Sequence, residues 1–112
     1  QDVSVFIVSN YRIKIFDLAP RRRLDQVSRE FFRFAREFGE VNGDTCFDAR
    51  LALGLARSLL TSTRFDMDPR FSSAMMLRSR YLLERLLDHQ TLVLAGQSAW
   101  RDFRLDESVL VP

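Results

Sequence analysis

Apolar residues in the middle of this chain recur at steps of three and four, a period that fits an α-helix and not a strand. Leu24, Val27, Phe31, Phe34 and Phe38 form one such stripe, on a helix expected over about 21–38 with Gly39 as its left-handed stop. Asn42-Gly43 is a turn signal. Asp44 or Thr45 then caps a second helix, 45–62, with Thr45 and Asp48 as a capping-box variant. Phe47, Leu51, Leu53, Leu55, Leu59 and Leu60 surround most of it, and only Asp48, Arg50, Arg57 and Ser58 mark a wet stripe. That makes it the expected central element. Asp68-Pro69 opens a third helix, 69–95, with a carboxylate at the cap and proline in the first turn. Its core stripe runs through Phe71, Met75, Leu82, Leu86 and Val93, broadened by Met76, Leu83, Leu87 and Leu94, and Gly96 ends it. At ~1.5 Å per residue this helix spans roughly 40 Å. It must break near His89-Gln90 or project from so small a domain.

The ends of the chain read differently. Val3 to Val8 and Tyr11 to Phe16 are rich in β-branched and aromatic residues, which predicts a strand segment over 3–16, either one strand or a hairpin turning at Ser9-Asn10. Residues 97–112 set Trp100 and Phe103 among charges and finish on Val109-Leu110-Val111, an extended or short-helical tail. The expected fold class is therefore α+β, mainly α. An N-terminal β-hairpin or single strand packs on a three-helix core, residues 1–96 form one globular domain, and the tail docks on a partner.

Chemistry is narrowed mostly by exclusion. One cysteine, Cys46, gives no internal disulfide framework and no cysteine-built zinc site, and one histidine, His89, removes most histidine constellations. Asp66 and Asp68 resemble a short acidic metal motif, but Asp68 is explained as a helix cap. Glu84 and Asp88 lie one turn apart beside Arg80 and Arg85, at ion-pair spacing. Neither a catalytic residue, a metal site nor a cofactor is expected, so the chain reads as a non-enzyme. No apolar run reaches the ~20 residues of a membrane span, and an intracellular setting, a virion or another large assembly is expected. Of 17 basic residues all but Lys14 are arginine, whose planar fork suits interfacial ion pairs, yet the net charge is only +2.

What remains is surplus apolar surface. Phe32 lies off the stripe of its helix, and Trp100, Phe103, Val109, Leu110 and Val111 have no evident place in a core already crowded with leucine and phenylalanine. These six residues are the expected partner-binding set of a non-catalytic assembly or adaptor subunit, meeting another protein or a second copy of itself. An alternative rests on the order strand, helix, loop, capped helix over Tyr11–Leu60, under half of the chain. That order resembles the ribbon-helix-helix family of dimeric DNA-binding regulators. The resemblance implies that Arg12 and Lys14 read the major groove from a two-stranded ribbon, with Arg21, Arg22 and Arg23 near phosphates. The small net charge makes nucleic acid the less favoured partner.

Overall fold

A computed structural model describes residues 2–13, 15, 17–64 and 68–112. Four α-helices follow one another, α1 (Asp2–Arg12), α2 (Leu18–Val41), α3 (Phe47–Ser62) and α4 (Pro69–Leu94), and short 3₁₀ turns follow at Trp100–Asp102 and Glu107–Leu110. No strand occurs among the described residues, so the α+β expectation gives way to an all-helical fold.

The N-terminal segment shows why. Ser4, Ile7, Val8 and Tyr11 are buried while Val5 and Phe6 are exposed, which is helical spacing rather than alternation. Two strands with no third to extend them are marginal in water, whereas a helix satisfies its backbone within itself. Packing therefore overrides the β-preference of valine and isoleucine. The last turn of α1 is held by Arg21, whose guanidinium donates to the carbonyls of Asn10 and Ile13 and pairs with Asp25 at 2.9 Å. With the ribbon gone, the likeness to ribbon-helix-helix proteins loses the element that would enter DNA.

The α2 helix starts earlier and ends later than its stripe implied. Pro20 is accommodated in the first turn, where a missing N–H costs no intrahelical bond. Gly39 is not the stop. It is buried within the helix, where an added Cβ would lie 3.4 Å from the Asp44 side chain, and the positive-φ turn falls on Gly43. The helix also buries the edge beside its stripe rather than the stripe itself. Ser28, Phe32 and Gly39 are its buried positions, while Val27, Phe34, Phe38 and Val41 are exposed. Small side chains let α2 approach closely, with Asn10 donating to Ser28 Oγ at 3.2 Å.

Helix α3 lies at the centre, burying Leu51, Ala52, Leu55, Ala56 and Leu59, although Leu53 and Leu60 face outward. Against it α4 buries Phe71, Met75 and Leu82, and Ser79 Oγ donates to the Ala56 carbonyl at 2.8 Å. The α4 helix is unbroken through His89 and Gln90, and its length sets the long dimension of a molecule 45 × 27 × 20 Å. Its outer positions Met76, Leu83, Leu87 and Leu94 are exposed.

Asp48 joins the parts. Its buried carboxylate accepts two bonds from Arg36 of α2, at 3.0 and 2.8 Å, and one from the backbone N–H of Leu105 in the tail, at 2.7 Å. The anticipated box with Thr45 does not form, because the carboxylate is spent on these longer-range partners. Replacing Asp48 with Ala is expected to cost about 3 kcal/mol of unfolding free energy, since Arg36 and the Leu105 N–H both lose their acceptor. Urea titration measures that loss, and faster tryptic cleavage at Arg101 or Arg104 would report the freed tail.

Tyr11 is the opposite case. Its hydroxyl is buried with no hydrogen-bond partner among the described residues, below the Arg78 guanidinium that lies 5.5 Å from the ring centroid. Burial pushes the phenol above its ordinary value, against the pull of Arg78 and Arg21, and Asp25 adds to the rise. A raised pKa in the folded state means that its contribution holds below the unfolded value of about 10 and is lost as pH climbs through the folded one. The variant Tyr11→Phe should gain about 1 kcal/mol at neutral pH by removing an unsatisfied hydroxyl. Its alkaline unfolding midpoint should also move upward in a pH titration followed by circular dichroism.

Candidate interaction surfaces

The residues expected to meet a partner are mostly enclosed by their own chain. Phe32 is fully buried, 6.3 Å from the Phe47 ring and beneath the Arg36 guanidinium at 4.4 Å. Phe103, Val109, Leu110 and Val111 are buried together with Leu105 in the common core. Trp100 is half-buried against His89 at 5.3 Å, and Phe103 meets the same imidazole edge-on at 5.5 Å. The tail thus fills the core in cis, and these side chains have little free surface to offer a second chain.

Polar ties hold the tail down. Tyr81 donates to Asp106 Oδ2 at 3.0 Å, Asp106 Oδ1 caps the last 3₁₀ turn by accepting from the Ser108 N–H, and Arg33 pairs with Glu107 at 3.0 Å. The hydrogen bonds from the Ser108 backbone and side chain, aided by the Tyr81 hydroxyl and by Arg85, hold the Asp106 carboxyl below its usual value against the opposing effect of burial. The contribution of such a depressed carboxyl is complete above the unfolded pKa of about 4 and disappears as pH falls through the folded value. Wild type should therefore be more stable than Asp106→Asn at pH 7, and thermal melts taken towards pH 2 should show the difference closing.

The residues considered for chemistry are dispersed or already engaged. Cys46 sits at the start of α3, its N–H donating to Asp44. His89, on α4, has Nε2 2.7 Å from the Ala99 carbonyl, so that nitrogen carries the proton. Glu84 pairs with Arg80, and Asp68 caps α4 and pairs with Arg70. Asp66 lies outside the described residues. Among the described residues no group of three acidic, cysteine or histidine side chains could hold a metal, and no helix is long and apolar enough to cross a membrane. Of the alternative nucleic-acid set, Arg21 serves the end of α1, Arg12 is half-buried in the last turn of that helix, Arg22 and Arg23 are exposed, and Lys14 lies outside the described residues.

Open apolar surface remains on α2, on α3 and on the outer side of α4, where Met76, Leu83, Leu87 and Leu94 are exposed. On α2, Phe34, Phe38 and Val41 are 66%, 64% and 86% exposed, and Val27 stands on the same face. The half of the stripe nearer α1 is partly covered, with Phe31 stacked on Phe6 at 4.5 Å. On α3, a groove of about 600 Å³ runs beside α1, lined by Ser4 and Val5 on one wall and by Arg50, Leu53, Arg57 and Arg64 on the other. The α2 face was legible as a stripe in the sequence. What the sequence hid was its direction, because the core takes the small-residue edge beside it. Comparison with protein-family models, curated proteins and solved structures found no match to this chain.

Proposed function

We propose that this protein is a non-catalytic assembly subunit that associates with further copies of itself through the outward face of α2. The observation that carries the reading is the exposure of Phe34, Phe38 and Val41 on a helix whose other edge already builds the core. Leu24, Val27, Phe31, Phe34, Phe38 and Val41 step by three and four over 18 residues, the spacing by which one helix seats in the groove of another. Scattered apolar residues on a surface are ordinary, but a continuous row with two phenylalanines is a patch that association buries. At roughly 25 cal/mol per Å², covering it is worth several kcal/mol before the cost of association. Identical copies are the commonest partners of soluble chains. Glutamates at 30 and 37 flank the row and keep it soluble while unpaired.

Sedimentation equilibrium across a concentration series is the direct test. Wild type is expected to form oligomers, and Phe34→Glu/Phe38→Glu to be monomeric with an unchanged helical spectrum. These side chains lie outside the core, so their replacement should alter stability by less than about 0.5 kcal/mol. A wild type that stays monomeric throughout, or a double variant that assembles as well as wild type, would overturn the reading.

A further inference from the structure

The outward faces of α2 and α3 complement each other. Along α3, Arg50, Leu53, Arg57 and Leu60 step by three, four and three, so they share one side of the helix over about 15 Å, and Arg64 lines the same groove just beyond the helix end. Leu53 and Leu60 are 58% and 48% exposed. None of the described residues lining the neighbouring groove is acidic. Arg50 pairs with Asp44 at the end of the row, and Arg57 makes no ion pair among the described residues. Along α2, Val27, Glu30, Phe34 and Glu37 repeat the same steps over the same length, with carboxylates where α3 has leucine and apolar groups where α3 has arginine. Glu30 and Glu37 are both exposed and lie seven residues apart, as successive arginines of α3 do.

We infer that the α2 row of one copy docks on the α3 row of the next, an inference that rests on the self-assembly reading above and names its second surface. Two helices laid side by side in parallel present mirrored lateral orders. In that lay the glutamate flank of α2 meets the arginine column of α3, and the phenylalanines meet Leu53 and Leu60. An antiparallel lay sets glutamate against leucine. Guanidinium forks can grip the carboxylates bidentately while the apolar groups exclude water around them. Duplex DNA or an anionic membrane would satisfy the arginines but gives no account of the glutamates that match them on α2. Because two different faces meet, each bound copy still offers one free face of each kind. The contact is heterologous and builds a ring or an open chain rather than a closed pair.

Two single-face variants of the full chain separate this from other modes of association. Phe34→Glu/Glu37→Arg disables the α2 face and leaves α3 intact; Leu53→Asp/Arg57→Glu does the reverse. Each is expected to be monomeric alone, at concentrations where wild type is assembled, with its circular dichroism unchanged. Mixed in equal amounts, they retain one competent interface between them and should form a one-to-one dimer that grows no further, weakened about tenfold or more in high salt. If the α3 variant assembles normally while the α2 variant does not, α2 pairs with something other than α3. The self-assembly reading then survives and this inference fails. A mixture that remains monomeric although each face is needed singly also defeats it. If wild type never associates, both fall, and a wild-type monomer that binds duplex DNA or phosphatidylserine vesicles through Arg57 would reassign the α3 row.

Discussion

A single carboxylate sets the arrangement of this molecule. Buried charge is tolerated only when its lone pairs are occupied, and Asp48 fills them with the Arg36 fork and the Leu105 N–H. That demand fixes the rotation of α2. For Arg36 to reach Asp48, the side of the helix bearing Phe32 must turn inward, and the guanidinium then lies over the Phe32 ring. Phe34 and Phe38 are carried to the outside by the same rotation. The exposed row is thus a consequence of how the core is satisfied, and it leaves the tail clasped at the other end of the same carboxylate.

The helical middle of the chain was legible because its signals are local. Asp68-Pro69 marks the start of α4, Gly96 closes it with a positive φ, and Gly43 makes the turn that Asn42-Gly43 announced. The errors arose where a local pattern admits two periods or two directions. Residues 3–11 satisfy both alternation and the helical spacing of Ser4, Ile7, Val8 and Tyr11, and only the absence of a strand to pair with decides between them. The stripe on α2 correctly implied a helix but not the side it buries, since the small edge of Ser28, Ala35 and Gly39 carries little hydrophobic signal. The tail looked surplus because three helices seemed to fill the core. In fact α1 and α2 leave an opening that the last 3₁₀ turn, with Val109 and Leu110, occupies, while Leu105 is tied to Asp48 of α3.

The preference for arginine over lysine also acquires physical content in the fold. Arg21 binds two carbonyls and a carboxylate at once, Arg36 grips a carboxylate with two nitrogens and covers a ring, and Arg78 lies over Tyr11. A lysine ammonium is a point charge and supplies neither the fork nor the flat face. On the outer side of α3, the exposed Arg50 and Arg57 stand seven residues apart with Leu53 between them and Leu60 beyond.

The position of the tail in the core bears on how the protein is made. Leu105 must reach Asp48, and Val109 and Leu110 must reach α1 and α2, before the interior is closed. During synthesis the four helices leave the ribosome ahead of the residues that seal them, with a carboxylate one donor short and a greasy opening beside it. Closure of the core consequently waits for this last segment, and a nascent chain stalled before residue 105 is the form most in need of a chaperone.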